Sequence, residues 1–174
     1  LQSPGLILDM NILANDGIPP AGQKALEAAG HNLWTEFIEP QSLAAFINDN
    51  AIDGLLVRSA TKVREPLIDA CPNLRFIIRG GVGMDNIDVA YARDHGKEVR
   101  NTPAASSQSV AELVMGHLFA LSRSLHDSNR RMPVEGVEQF KALKKSYGKG
   151  RELRGMTLAI VGFGRIGQSL AQYA

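Results

Sequence analysis

The run Thr157-Leu158-Ala159-Ile160-Val161-Gly162-Phe163-Gly164-Arg165-Ile166-Gly167 is an apolar, β-type stretch that feeds directly into G-x-G-x-x-G. In a strand–turn–helix unit the first glycine, Gly162, allows the tight turn. The second, Gly164, lets the backbone approach a pyrophosphate, and the third, Gly167, permits close helix–strand packing. N–H groups left free at the start of the helix, from Arg165 and Ile166 onward, then face the phosphates of a dinucleotide. The competing reading, a glycine-rich turn between strand and helix, accounts for one glycine but not for three at this spacing. The acidic residue that holds the adenine ribose belongs about 20 residues further on, past Ala174. The chain as given is therefore expected to hold part of a dinucleotide site.

Upstream, short β-type runs alternate with amphipathic stretches. They read Leu6-Ile7-Leu8, Pro20–Ala29, Leu33-Trp34, Ser42–Ile47, Gly54–Arg58, Glu65–Ala70, Phe76–Ile78, Asp88–His95 and Glu98–Arg100. Strands alternating with helices imply right-handed crossovers and a parallel sheet covered on both faces. The expectation is an α/β chain with a flavodoxin-like doubly wound parallel-sheet domain over residues 1–101. After Asn101-Thr102-Pro103, Ser109-Val110-Ala111-Glu112 fits a capping box, and Val110, Leu113, Val114, Leu118, Leu121 and Leu125 recur at helical spacing. One long helix to about Arg130 is expected. Pro133 and Gly136 should break it, leaving loop and a short helical turn up to Gly150, before a strand at Thr157–Val161 opens a Rossmann nucleotide-binding domain.

At 44% hydrophobic residues the chain has enough apolar side chains for a real core. No apolar run approaches the roughly 18 residues of a membrane span, and the N-terminus lacks the layout of a secretory signal, so a cytoplasmic protein is expected. Cys71 is the only cysteine; disulfides within the chain and cysteine-cluster metal sites are excluded, and no metal-ligand spacing stands out. A net charge of +1 gives no reason to expect nucleic acid or membrane. The basic stretch from Lys141 to Arg154 reads as a solvated surface rather than a nucleic-acid patch.

Arg79-Gly80-Gly81-Val82-Gly83-Met84-Asp85 follows one predicted strand and precedes a helix. Three glycines in this loop suit N–H groups converging on an anion. Arg58 ends one strand as Arg79 ends another, where doubly wound sheets bind ligands, and two guanidinium groups there would fork onto a carboxylate or phosphate. The alternative is that both arginines are ordinary strand-end residues and the glycines only make a turn. Asp85 and Asp88 open a helix and read as caps rather than an acid/base pair. His117, between Val114 and Leu121, reads as a packed helix-face histidine, and Cys71 as a packed small residue.

Several of these segments, with Val57-Arg58-Ser59-Ala60-Thr61, Arg79 through Asp88, Asn101-Thr102-Pro103, Ser109 through Leu113 and Glu152 through Gly167, together resemble the NAD-dependent D-2-hydroxyacid dehydrogenases. The Arg-Ser-Ala-Thr and Glu-Leu-Arg-Gly stretches look most like the phosphoglycerate dehydrogenase branch. The resemblance implies a substrate domain up to residue 101, and an interdomain helix with the start of an NAD domain over 102–174. It implies that Arg58, Arg79, Gly80 and Gly81 bind the substrate, that Val82 lies near the nicotinamide, and that Gly162, Gly164, Arg165, Ile166 and Gly167 meet the pyrophosphate. Ser106 stands where members carry an asparagine facing the active site. The family's catalytic histidine, its carboxylate partner and the keto-acid arginine come later, so no catalytic residue is expected within this chain, and the chain alone should be inactive. The implied activity is NAD-dependent oxidation of a D-2-hydroxyacid, first 3-phosphoglycerate as in serine biosynthesis, with glyoxylate, hydroxypyruvate or another D-2-hydroxyacid as alternative. A non-catalytic NAD-sensing protein resembling the family's co-repressors is a reading from another class. A homo-oligomer formed through the nucleotide domain is also implied.

Overall fold

The computed structural model describes residues 9–174, which divide into a unit ending at Pro103 and a second unit, Ala104–Ala174. The first contains β1 (Asn11–Ala14), α1 (Pro20–Ala28), β2 (Asn32–Trp34), α2 (Pro40–Asp49), β3 (Gly54–Val57), α3 (Glu65–Ala70), β4 (Phe76–Arg79), α4 (Val89–Asp94) and β5 (Glu98–Asn101). The five strands form one parallel sheet in the order β2-β1-β3-β4-β5, the doubly wound order expected. Its centre is a row of apolar residues in register, Leu13, Leu55, Ile77 and Val99. All four are buried, in one core with Leu43 and Ile47 from α2, Ile68 from α3 and Ala92 from α4. Prolines in the first turns of α1, α2 and α3 suit those helix starts, where a backbone donor would go unused.

The β-run at Leu6–Leu8 lies outside the described residues. The interior strand β1 escapes the pattern because it opens on Asn11, a poor strand former. Asn11 is held by its side chain, which donates to the carbonyls of Asn50 and Ala51 and accepts from Asn32 Nδ2.

The second unit contains α5 (Ser107–Ser122), α6 (Leu125–Tyr147) and α7 (Arg165–Tyr173). The single helix to Arg130 is in fact two, separated at Ser124 in the left-handed conformation (φ 54°). The loop expected after Pro133 is mostly helix. Glu135, Glu138, Lys141, Ala142, Leu143, Lys144 and Lys145 are good helix formers. Arg131 pairs with Asp127 one turn before it and with Glu135 across the proline, and only Gln139 departs from helical angles. Ser109 lies inside α5, whose N-cap is Ser106, so the capping box does not form. His117 is exposed rather than packed, as are Leu113 and Leu121.

Thr157–Val161 is not a strand. A strand exists through its ladder, and no segment among the described residues pairs with this run, in which Val161 is fully exposed. α7 instead packs on α5, burying Leu170 and joining Tyr173 Oη to Glu112 Oε1 at 3.3 Å. Among the described residues no helix is long and apolar enough to cross a membrane.

Candidate functional site

In a parallel sheet all strands deliver their following loops to the same edge. Val57 and Arg79 are register partners on β3 and β4, so Arg58 and Arg79 leave the sheet side by side. Arg79 Nε donates to the Arg58 carbonyl at 3.2 Å. A Cβ on Gly81 would strike the Arg79 guanidinium, and one on Gly80 would lie 3.5 Å from Arg58 Cγ. Both arginine side chains therefore lie against the glycine loop, and a side chain on Gly81, at φ 156°, would have to displace the Arg79 guanidinium. Among the described residues neither guanidinium has a carboxylate partner.

The loop's own amides are divided. Gly80 N–H donates to Val57 O at 2.8 Å and Gly81 N–H to Arg79 O at 2.9 Å, while Gly81 O accepts from Thr102 N. Asn101 Nδ2 donates to Val82 O at 2.6 Å, which ties β5 to the loop. The Val82 and Gly83 amides have no backbone acceptor among the described residues.

Three polar residues not singled out by sequence hold these loops. Asp16, just after β1, accepts from the Arg58 amide at 2.6 Å, the Ala60 amide at 3.1 Å, the Thr61 amide and the Thr61 hydroxyl. Buried Asn15 donates to Thr61 Oγ1 at 2.8 Å and accepts from Ile38 N. Asn86, only 7% exposed, donates through Nδ2 to both the Arg58 carbonyl (3.1 Å) and the Thr61 carbonyl (2.8 Å). Its Oδ1 is buried without a hydrogen-bond partner. A backbone bridge between Val63 and residues 86–88 closes the same junction.

Burial pushes the Asp16 carboxyl upward, but the bonds from the Thr61 hydroxyl and the Arg58, Thr61 and Ala60 amides outweigh it and hold it below its ordinary 3.8. A depressed folded-state pKa stabilises above the unfolded value and is lost as pH falls through the folded one. Urea midpoints should therefore fall as the pH drops below the ordinary 3.8 in the wild type and fall less in Asp16→Asn; parallel curves would contradict this.

Asp88 does not cap its own helix. Its Oδ1 pairs with Arg64 Nη1 at 2.6 Å and its Oδ2 accepts from the Glu65 amide at 3.1 Å, so it caps neighbouring α3. The Arg64 bond holds its carboxyl below the usual range. Asp85 contributes its carbonyl, to Arg64 Nη2. Cys71 is fully buried, and burial pushes its thiol up, away from reactivity. Buried Lys97 donates to the Cys71 and Pro72 carbonyls, fastening the end of α3 to β5.

In the second unit Gly162 takes φ 92°, a turn angle that favours glycine. Gly164 is the N-cap of α7 and has open space where a Cβ would stand; a Cβ on Gly167 would collide with the Gly162 carbonyl. The amides of Arg165, Ile166 and Gly167 have no backbone partner among the described residues, while Gln168 N–H already returns to Gly164 O at 2.9 Å. A tight turn, an open approach and free helix-start donors fit a pyrophosphate. Ser106, half-buried at the start of α5, belongs to this unit and makes no side-chain cap bond. Among the described residues no group of three or more His, Cys, Asp or Glu is placed to hold a metal ion.

The family profile described as "D-isomer specific 2-hydroxyacid dehydrogenase, catalytic domain" matches residues 12–164. The chain belongs to this family. Among curated D-2-hydroxyacid dehydrogenase relatives, a hydroxypyruvate reductase of Thermotoga maritima is 45% identical over 140 residues, covering 80% of this chain and 43% of the relative. A D-3-phosphoglycerate dehydrogenase of Methanocaldococcus jannaschii is 38% identical over 165 residues, covering 95% and 30%. The chain thus spans less than half the length of these relatives. Of solved structures, the NAD+-bound 3-phosphoglycerate dehydrogenase of Entamoeba histolytica matches with TM-score 0.67 and 29% identity, over 95% of this chain and 50% of that one. The NADPH-dependent glyoxylate/hydroxypyruvate reductase of Sinorhizobium meliloti, in complex with NADP and malonate, matches with TM-score 0.66 and 26% identity, covering 95% and 50%.

Proposed function

We propose that this chain supplies the acidic-substrate cradle and the pyrophosphate turn of an NAD-dependent D-2-hydroxyacid dehydrogenase, with 3-phosphoglycerate as substrate. The observation that carries the reading is the convergence of Arg58 and Arg79, free of carboxylate partners among the described residues, on the Gly80–Gly83 loop. Two forked guanidinium groups at the carboxyl ends of adjacent parallel strands bind and orient a doubly anionic molecule better than a neutral one. The open amides of Val82 and Gly83 add donors for a carboxylate oxygen, and the Gly162–Gly167 turn gives the dinucleotide phosphates a seat. NAD, when bound, supplies the acceptor for the hydrogen leaving C2 of the hydroxyacid. Residues of this chain hold and orient substrate and cofactor; none is assigned the proton transfer. The 45% identity to a hydroxypyruvate reductase supports a second reading, in which the acid is glycerate or glycolate without a phosphate.

Arg58→Ala, in an active protein carrying this chain, separates the two. A lost charge-assisted contact to phosphate is uniform binding and appears mainly in KM. KM for 3-phosphoglycerate is expected to rise at least about tenfold, the equivalent of roughly 1.4 kcal/mol, with a much smaller change for D-glycerate. Equal effects on both acids would favour the second reading.

A further inference from the structure

The loop after β3 is pinned on both sides of Arg58, and the arrangement of its bonds is selective. The Arg58 carbonyl is taken by Arg79 Nε and Asn86 Nδ2, and the Arg58 amide by Asp16. Asp16 sits in the same loop cluster as Arg58, yet it makes no ion pair with that guanidinium. Both carboxylate oxygens are committed instead to loop donors: Oδ2 to the Arg58 and Ala60 amides, Oδ1 to the Thr61 hydroxyl, with the Thr61 amide shared between them. The Thr61 hydroxyl in turn accepts from Asn15, itself 2% exposed and bonded to the backbone of Ile38. The carboxylate bonded to the Arg58 amide therefore fixes the backbone and leaves the guanidinium to an outside anion.

We propose that Asp16 is a positioning residue for the acidic-substrate site, holding the Arg58–Thr61 loop in the one shape that presents the Arg58 side chain to the ligand. This rests on the reading of Arg58 and Arg79 as the substrate's anion cradle. Asp16→Asn tests it, because the amide keeps one acceptor but turns an NH2 group toward backbone donors, so part of the loop's cage is lost without a change of volume.

The probe is 3-phosphoglycerate, titrated into the 15N-labelled 174-residue chain and followed at the backbone amides. In the wild type the Arg58 and Val82 amides shift on titration. In Asp16→Asn the Leu13, Leu55 and Ile77 amides stay in place, the Arg58 and Ala60 amides lose the downfield position given by a carboxylate acceptor, and affinity falls about tenfold. Introduced into an Arg58→Ala background, Asp16→Asn weakens binding no further, because its effect runs through Arg58. A wild type that shows no shift at Arg58 or Val82 overturns the anion-cradle reading and this proposal with it. Wild-type binding with equal affinity in Asp16→Asn, or additive losses in the double variant, overturns the positioning role alone. Should Asp16→Asn fail to fold, Thr61→Val removes one hydroxyl from the cage: a loss of about threefold supports the proposal and unchanged affinity overturns it.

Discussion

Asn86→Asp is expected to cost the first unit most of its stability at neutral pH. The Asn86 amide nitrogen donates to two backbone carbonyls, those of Arg58 and Thr61, from a position 7% exposed. A carboxylate there would aim oxygen at both carbonyls and bury a charge with no donor. An uncompensated buried charge costs about 3–5 kcal/mol, which for a unit of roughly 100 residues lowers the midpoint by roughly 15–30 °C. The penalty should depend on pH in a defined direction. Burial and the facing carbonyls raise the carboxyl's folded-state pKa above the unfolded value, so the deficit is full at neutral pH and shrinks as acid protonates the group. Once protonated, its hydroxyl can donate to one of the two carbonyls. Thermal melts of wild type and variant at pH 7 and pH 4.5 check this; a variant with wild-type midpoint at pH 7 would refute the account. Asp16, depressed in both proteins, cancels in the comparison.

A second large effect is expected from Gly167→Ala, set against Gly164→Ala. A methyl group on Gly167 meets the Gly162 carbonyl, a backbone atom in a turn at φ 92° that cannot swing aside like a side-chain tip. Overpacking of this kind costs about 1–3 kcal/mol, and here it pushes the start of α7 off its turn. The Leu170 and Tyr173 amides should lose hydrogen-exchange protection, because α7 docks on α5 through that end. Gly164→Ala meets nothing within 4 Å and sits at an ordinary φ of −75°, so protection should persist. Only the space in front of the helix start is filled, and on the proposed reading that is where a pyrophosphate approaches. Retained protection of Leu170 in Gly167→Ala would show that the close approach is not needed.

The alternation of strands and helices in residues 20–101 was legible because strands of a parallel sheet are covered on both faces and read as short apolar runs, as Leu55-Leu56-Val57 and Ile77-Ile78 do. The two arginines and the glycine loop were legible for the same reason: each sits one step past such a run. What holds them was not. Asp16 and Asn15 lie more than 40 residues from Thr61 and Asn86 lies 25 residues from it, and contacts at that separation leave no period in a sequence. Asp85 and Asp88 draw notice as carboxylates, whereas Asn86 between them carries the larger structural duty as an amide. α6 was hidden by Pro133 and Gly136, whose breaking tendency is outweighed by ion pairs and strong helix formers around them. Thr157–Val161 shows the opposite error, since β propensity cannot make a strand where no partner strand lies among the described residues.

The loop that carries Arg58 has almost no backbone freedom of its own. Its amides answer to Asp16, one of its carbonyls to Arg79 and Asn86 together, and another to Asn86. Substitutions in this cluster should therefore be strongly epistatic. An exchange tolerated at Asp16 will set which exchanges are tolerated at Thr61, Arg79 and Asn86, and residues in one hydrogen-bond network couple by about 0.5–3 kcal/mol where distant sites simply add. Laboratory evolution toward a different acid would then proceed poorly by accumulating single changes at these loops. Libraries that vary the four positions together would reach combinations that stepwise selection discards.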